Sequence, residues 1–207
     1  MGALSSTIAQ LIAACSINTH ADTVRAVIDV ESRGNPLAIN VNGRMKLRKA
    51  RDAADAAQLA RYAIGLGYSV DMGLMQVNSR NLAKVGLTPE TVFDACNNIK
   101  AGTMILSGNY SRAIVMHGEG QAALRASLSA YNTGNMTRGF RNGYVARYYA
   151  GRPYSVIALA SSIGVTPRAP EVADPFTAGS SVFTRKEAPD ARNRAAALNP
   201  GVLPGDR

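Results

Sequence analysis

Hydrophobic residues recur at intervals of three and four along most of the first 150 residues, which is the spacing of amphipathic helices. The pattern therefore predicts a body that is helical almost throughout, with no internal repeat. The helical segments outside the region of Glu31 are predicted over 4–14, over about 50–65, from Asn97 or Asn98 onward, and over 121–131.

One further helix carries an acid on its apolar face. Thr19-x-x-Asp22 is a capping-box pattern that predicts its start, and residues 34–36 (Gly-Asn-Pro) predict its end. Between them, an apolar stripe with the spacing i, i+3, i+4, i+7 is formed by Val24, Val27, Ile28 and Glu31. Glu31 is thus expected to point toward the protein interior.

The remaining segments of the body carry weaker patterns. Thr88 before Pro89 predicts a helix start with proline at the first position. Residues 72–82 are predicted to form a turn that leads into a short helix. Residues 40–48 form a polar, basic loop, and short strands are expected only around 41–45.

The composition changes near Gly151. Six of the nine prolines follow Val165, among many Ser, Ala, Asp and Arg residues, and no hydrophobic period continues there. Residues 1–150 are therefore predicted to form one domain, and residues 151–207 either a flexible tail or an extension that binds a partner. The first 14 residues lack the basic segment of a secretory signal, so the route of export is not evident.

Composition narrows the class of protein. Hydrophobic residues make up 46% and charged residues 18% of 207 residues, which is typical of a globular protein. No apolar stretch approaches the length of a membrane span. The two Cys and two His are not closely paired, so a zinc finger is excluded, and no metal or organic cofactor is expected.

The formal net charge of +9 invites a comparison with nucleic-acid-binding proteins. However, no nucleic-acid-binding motif accompanies the basic residues, so a solvated basic surface is favoured. Attraction to an anionic polymer of the bacterial envelope is a third interpretation. The basic residues cluster at Arg44, Lys46, Arg48, Lys49 and Arg51 and again at Arg138, Arg141 and Arg147.

Glu31 is the strongest candidate for chemistry. A carboxyl group among apolar side chains tends to hold its proton, which is the form that a general acid needs. The alternative is a structural glutamate at a helix end that reaches water or pairs with Arg25 or Arg33.

Five short motifs in a fixed order favour the catalytic interpretation. They are Glu31-Ser32 with Gly34-Asn35-Pro36, Gly73-Leu74-Met75-Gln76-Val77-Asn78, Asn98-Ile99-Lys100-Ala101-Gly102, Ala130-Tyr131-Asn132-Thr133-Gly134, and Tyr144-Val145-Ala146-Arg147. Glycines permit close approach, and the amide and phenol groups offer neutral hydrogen bonds to a sugar. The order resembles the lysozyme-like soluble lytic transglycosylase family over residues 15–148, in particular the branch associated with type IV secretion and conjugation systems.

The resemblance implies a single goose-type, lysozyme-like helical domain that cleaves peptidoglycan between N-acetylmuramic acid and N-acetylglucosamine. Glu31 matches the catalytic acid and base. The positions that match substrate-binding residues are Asn40, Met75, Gln76, Tyr131, Asn132 and Tyr144. The turn at Gly73 is expected to position Gln76, and the residues expected to pack around the site are Ile99, Ala101 and Gly102.

The implied reaction uses one carboxyl group. Glu31 would protonate the glycosidic oxygen and then accept the proton of the C6 hydroxyl, which closes on C1 to give a 1,6-anhydro sugar without water. A hydrolytic muramidase would need a second acid. Asp71 is the best candidate for it, although a turn residue is the preferred interpretation of Asp71.

Two other functions stay open. One is a non-catalytic assembly factor that binds glycan while its tail recruits secretion components, and the other, the least favoured, is a nucleic-acid binder. The resemblance also implies a disulfide between Cys15 and Cys96 and action in the periplasm. The expected partners are peptidoglycan strands and, through the tail, proteins of a type IV secretion system.

Overall fold

The computed structural model describes residues 2–150, which are mainly helical, as predicted. The predicted flexible tail, residues 151–207, lies outside the described residues. None of the described helices is both long enough and apolar enough to cross a bilayer. The elements in chain order are α1 (Gly2–Cys15), α2 (Ala21–Glu31), β1 (Ile39–Asn42), α3 (Ala53–Gly65), β2 (Ser69–Met72), β3 (Val77–Asn78), α4 (Ala95–His117), α5 (Gln121–Thr133), α6 (Arg138–Arg141) and α7 (Ala146–Tyr149).

The start of α2 differs from the predicted capping box. His20 is the N-cap, and its Nδ1 accepts a hydrogen bond from the backbone N–H of Asp22 at 3.3 Å. The hydroxyl of Thr19, one residue before the N-cap, instead donates to the carbonyl of Ile17 at 3.0 Å. Asp22 still lies in the first turn, where the helix dipole favours a negative charge.

Helix α4 runs between two apolar cores. Ile99 and Leu106 pack into the first core, with α1, α2, α5 and α7, and Ala101 and Ile105 pack into the second, with α3 and the strands. The helix begins at Ala95, a few residues before the predicted start, because the Asp94 side chain caps it by accepting from the N–H of Asn97 at 2.8 Å. Helix α4 is therefore the common support of the helical half and the sheet half.

The helix start predicted at Thr88 is not observed, because the segment from Thr88 to Asp94 forms turns. The N–H of Val92 donates to the carbonyl of Thr88 at 3.0 Å, as in a single helical turn, but the turn is not continued. The carbonyl of Val92 accepts from the side chain of Asn98 at 2.9 Å, which ties this turn to α4.

The sheet was largely missed by the hydrophobic pattern. β1, β2 and β3 form an antiparallel sheet in that order, whereas strands were expected only around 41–45. The turn and short helix expected over 72–82 are present as a turn at 73–76 and a 3₁₀ helix at Ser79–Asn81, but β3 lies between them. The strands have four, four and two residues, too few for a clear alternation. Alternate residues nevertheless divide the two faces: Val70, Met72 and Val77 are buried in the second core, and the other face is polar.

Part of the basic loop serves the fold. The carboxylate of Asp55 in α3 is buried and accepts hydrogen bonds from Nη1 and Nη2 of Arg48 at 2.6 and 2.7 Å and from Nη2 of Arg51 at 3.1 Å. Hydrogen bonds from Arg48 and Arg51 hold the pKa of Asp55 far below its usual value. Two of the five clustered basic residues are therefore structural, rather than a freely solvated surface.

The disulfide between Cys15 and Cys96 is present, as predicted. It joins the last residue of α1 to the first turn of α4 and closes a loop with a sequence separation of 81. Both cysteines belong to the first core, next to α2.

Candidate active site

Glu31 is the last residue of α2, and the chain turns sharply behind it. The hydroxyl of Ser32 donates to the carbonyl of Ile28 at 3.1 Å and accepts from the N–H of Gly34 at 3.2 Å. Arg33 and Gly34 both have left-handed backbone angles, with φ of 56° and 78°. The predicted helix end is thus confirmed, and it leaves Glu31 partly exposed at the rim of the first core.

Glu31 lies in a polar cleft of about 640 Å³, a volume suited to a small ligand or to part of a polymer. One structural alternative was an ion pair between Glu31 and Arg25. The structure instead pairs Arg25 with Asp29, to which its Nε donates at 2.9 Å. The cleft is lined by Val30, Glu31, Asn40, Asp71, Gln76, Asn132, Asn142, Gly143, Tyr144 and Arg147.

Two buried tyrosines form a hydrogen-bonded chain to Glu31. The hydroxyl of Tyr144 donates to Oε1 of Glu31, and the hydroxyls of Tyr144 and Tyr148 lie 2.5 Å apart. Burial, and then the charge of Glu31 among other neighbours, raises the pKa of both phenols well above the usual value. Both hydroxyls therefore keep their protons near neutral pH, so Tyr148 donates to Tyr144 while Tyr144 donates to Glu31.

The turn between β2 and β3 places Gln76 in the cleft. Gly73 has φ of 76°, and a Cβ there would lie 2.2 Å from Nδ2 of Asn98. The Gln76 amide donates to the carbonyls of Gly73 at 3.0 Å and Ala38 at 3.1 Å, which fixes a residue whose own φ is 51°. The turn thus depends on a glycine, as expected.

Asn98 of α4 fastens this turn. Its Oδ1 accepts from the N–H of Met75 at 2.8 Å, and its Nδ2 donates to the carbonyl of Met72 at 2.9 Å. The Met75 side chain is fully buried and packs against Gly102, where a Cβ would lie 2.5 Å from the sulfur. The polar turn and the apolar packing behind it therefore form one unit.

Asp71 lies in the central strand of the sheet and not in a turn, which corrects the preferred interpretation of its sequence. The register pairs it with Asn40 on one side and Asn78 on the other, so the three side chains form a row on the polar face. Its carboxylate accepts from the amides of Asn40 at 3.2 Å, Asn42 at 2.9 Å and Asn78 at 2.6 Å. The cleft therefore contains two carboxyl groups, Glu31 and Asp71.

The comparison with protein families identifies this arrangement. The sequence model of the family described as Transglycosylase SLT domain matches residues 10–148, more than half of the chain. The chain belongs to that family. The matched residues include every residue that lines the cleft, and the predicted family and helical fold are both confirmed.

Curated proteins similar to this SLT domain are named virB1, and some of these names include the type IV secretion system. "Protein virB1" of Rhizobium radiobacter is 41% identical over 145 residues, which are 70% of this chain and 60% of that protein. "Type IV secretion system protein virB1" of Brucella abortus (strain 9-941) is 36% identical over 194 residues, 93% of this chain and 75% of that protein. The Brucella suis protein of the same name is 33% identical over 192 residues.

These matches agree with the branch that the motifs predicted. This chain spans about three fifths of the length of the Rhizobium radiobacter protein. No solved structure matches the chain.

The structure brings most, but not all, of the predicted site residues to the cleft of the SLT domain. Glu31, Asn40, Gln76, Asn132 and Tyr144 line it. The Met75 side chain does not reach it, because it is buried in the core behind the turn. Which of these residues touch a sugar stays a prediction.

Tyr131 lies beside the cleft lining and supports it. Its hydroxyl donates to the carbonyl of Met75 at 2.8 Å, so α5 holds the turn that carries Gln76. Burial, with smaller contributions from the charges of Glu31 and Asp71, raises the pKa of this phenol well above the usual value. The Tyr131 hydroxyl therefore keeps its proton near neutral pH.

Two site residues, Asn142 and Tyr148, were not named from the sequence, and Arg147 was named only within a motif and a basic cluster. Asn142 donates to Oδ1 of Asn132 at 3.3 Å, and Arg147 lies over the Tyr144 ring at 4.7 Å. Tyr148 carries the second hydroxyl of the chain to Glu31. Its spacing of four residues from Tyr144 is the signal that could have found it, since residues i and i+4 of a helical segment share a face.

Among the described residues, no group of three or more His, Cys, Asp or Glu side chains is arranged to hold a metal ion.

Proposed function

We propose that this SLT domain protein is a peptidoglycan lytic transglycosylase. It would cleave the β-1,4 bond between N-acetylmuramic acid and N-acetylglucosamine and leave a 1,6-anhydro end on the muramic acid. The observation that carries the proposal is the hydrogen bond from Tyr144 to Glu31 within a polar cleft. Membership of the transglycosylase SLT domain family supports the same reaction class.

The geometry suits Glu31 to both halves of an acid–base cycle. The protonated acid gives its proton to the glycosidic oxygen, and the electron pair of the C1–O bond leaves with that oxygen. The carboxylate then accepts the proton of the C6 hydroxyl while the C6 oxygen bonds to C1. Tyr144 stabilises the carboxylate between these steps, since a phenol that keeps its proton donates to the charged form.

The cellular context follows from the relatives. Proteins similar to this chain are named as parts of type IV secretion systems. We infer that the enzyme acts in the periplasm and opens the peptidoglycan locally where a secretion channel is assembled. Residues 151–207 are the segment proposed to bind components of that system.

The test is product analysis after digestion of purified peptidoglycan sacculi. The wild-type protein should release 1,6-anhydro-muropeptides, and Glu31→Gln should lower their release by about 100- to 10,000-fold, the usual contribution of a general acid. Asp29→Asn is the matched control, because Asp29 lies in the same helix but pairs with Arg25 and is not a cleft residue. A Glu31→Gln variant that retains activity would contradict the assignment.

Hydrolysis is the second candidate function, and the position of Asp71 in the cleft favours it. A hydrolase adds water and leaves a reducing end, so its products are heavier than anhydro products by one water. Mass spectrometry of the same digest separates the two reactions. Reducing ends as the only product would replace lytic transglycosylation by hydrolysis.

A further inference from the structure

The structure divides the second basic cluster of the sequence, which consists of Arg138, Arg141 and Arg147. All three residues are exposed, but of the three only Arg147 lines the cleft. It is also the one basic residue among the described residues of the cleft lining. The solvated basic surface that the sequence favoured therefore does not describe Arg147.

One tyrosine side chain connects Arg147 to Glu31. The hydroxyl of Tyr144 donates to Glu31, and the guanidinium carbon of Arg147 lies 4.7 Å from the centre of the same ring. Burial raises the pKa of the neighbouring Tyr148 phenol well above its usual value, and the charge of Arg147 is among the smaller contributions that oppose this. The cation is therefore separated from the acid by a single aromatic side chain.

The fold determines where the guanidinium lies. The N–H of Arg147 donates to the carbonyl of Tyr144 at 3.1 Å, and the flanking Tyr144 and Tyr148 are buried in the first core. A guanidinium over an aromatic ring is held there by cation–π attraction, and its N–H groups can bind a carboxylate at the same time. The cleft thus offers an anion a cation whose position is set by the core.

The substrate class of the proposed function carries carboxylates close to the bond that is cut. Muramic acid bears a lactyl group on C3, which N-acetylglucosamine lacks. This group ends in a carboxylate on a bare strand, and otherwise it continues into a peptide stem with carboxylates of its own. Glu31 and Asp71 in their charged forms would repel such a group, whereas an arginine binds it through paired, charge-assisted hydrogen bonds.

We propose that Arg147 binds a carboxylate of the C3 substituent of muramic acid and so selects which sugar of the alternating strand lies next to Glu31. This inference rests on the proposed function, but only on the cleavage of the glycan. It holds for lytic transglycosylation and for hydrolysis alike, since the substituent is bound before the fate of C1 is decided. The lactyl group and the peptide stem are the two sources of this carboxylate.

The experiment measures kcat and KM of the full chain on two kinds of soluble glycan strand. One kind carries peptide stems, and the other has been stripped of them by an amidase. Each kind is used as it is and after its carboxylates have been converted to neutral methylamides.

Arg147→Gln should lower kcat/KM about 10- to 100-fold on charged strands of at least one kind, the usual contribution of a hydrogen bond to a charged group. The loss should lie in KM, with kcat within about threefold. On the amidated strands the variant and the wild type should agree within about twofold, which also shows that the variant is folded. A loss on stem-bearing strands assigns the peptide, and a loss confined to stripped strands assigns the lactyl group.

Arg141→Gln is the matched control. Arg141 is exposed and belongs to the same basic cluster, but it does not line the cleft, so its variant should match the wild type on every strand. Arg147→Lys keeps the charge without the paired N–H groups and should restore only part of the affinity that Arg147→Gln loses.

Three results would overturn the proposal. One is an Arg147→Gln variant within about twofold of the wild type on both kinds of charged strand. Another is an equal loss on charged and amidated strands, which would give Arg147 a structural role beside Tyr144. The third is an equal loss in Arg141→Gln, which would indicate a long-range attraction to an anionic polymer.

Failure of the proposed function gives a different result. A wild-type protein that cleaves none of the four strand preparations would overturn the proposed function, and this inference with it. An active wild type with any of the three results above removes only the role of Arg147.

Discussion

The helical side and the sheet side of the cleft each present one carboxyl group, and they position it by different means. On the helical side, Glu31 depends on the end of α2 and on Tyr144 and Tyr148, which are buried in the first core. On the sheet side, Asp71 depends on a row of asparagines set by strand register. Packing in the core positions the groups around Glu31, whereas hydrogen bonds on a partly exposed face position Asp71.

The difference teaches that the surroundings decide what a carboxyl group does. A buried, protonated phenol next to Glu31 suits a group that gives and takes a proton. Three amide donors around Asp71 instead suit a side chain that is held in one position on the polar face of the sheet. Variants that damage one side and spare the other are the direct way to examine this difference.

The largest effect is expected from removing the covalent link of the first core. Replacing Cys15 and Cys96 by serine opens a loop with a sequence separation of 81. Loop-closure entropy predicts a loss of about 4 kcal/mol in the free energy of unfolding, measured by urea denaturation.

Activity below the unfolding transition should stay within about twofold, because neither cysteine lines the cleft. Wild-type protein reduced with dithiothreitol should reproduce the loss of stability. A decrease of less than about 1 kcal/mol would mean that the bridge contributes little to this core.

The next effect is expected from Gly73→Ala, which acts on the sheet side. The new Cβ would lie 2.2 Å from Nδ2 of Asn98 at a φ of 76°, so strain and the loss of the Asn98 bonds combine. We expect a loss of about 3 kcal/mol in the free energy of unfolding, together with reduced activity.

Gly86→Ala is the matched control for backbone strain. Gly86 has a similar φ of 68°, but a Cβ there meets nothing within 4 Å. It should cost only about 1 kcal/mol and leave activity unchanged. Equal losses in the two variants would show that the contact with Asn98 is unimportant.

The features predicted correctly from the sequence are those that depend on residues close together in the chain. Glu31 could be found because it is a charged residue in an apolar helical stripe. The other residues of the stripe indicate which way its side chain points. The stop after Glu31 and the glycine turn before Gln76 are likewise local, since Gly34 and Gly73 adopt backbone angles that favour glycine. The disulfide came instead from the family resemblance, not from the spacing of its cysteines.

What the sequence missed depends on residues far apart in the chain. Asp71 was placed in a turn because a four-residue strand has too little pattern, and its partner Asn40 lies 31 residues away. Met75 and Gln76 are neighbours in the chain, yet the Met75 side chain lies in the core and Gln76 lines the cleft. This difference depends on the packing of Met75 against Gly102 and on the conformation of the turn. The role of Tyr148 likewise requires the position of α7 beside α2.

The smallest effects are expected from the tyrosine chain on the helical side. Tyr144→Phe removes the hydroxyl that donates to Glu31 and should lower kcat about 10- to 100-fold, because a hydrogen bond to a charged group contributes about 1.5–3 kcal/mol. Tyr148→Phe acts through Tyr144 and should lower kcat only about threefold, in line with a neutral hydrogen bond.

The pH dependence of the rate tells a catalytic loss from a structural one. Without the Tyr144 hydroxyl, the charged form of Glu31 loses a donor, so the protonated acid persists to higher pH and the rate profile should move toward alkaline pH. Asp71→Asn should leave that limb of the profile in place, since Asp71 is not the group that gives the proton. An unshifted profile in Tyr144→Phe would mean that the phenol stabilises the fold of the helical side and does not affect the protonation of Glu31.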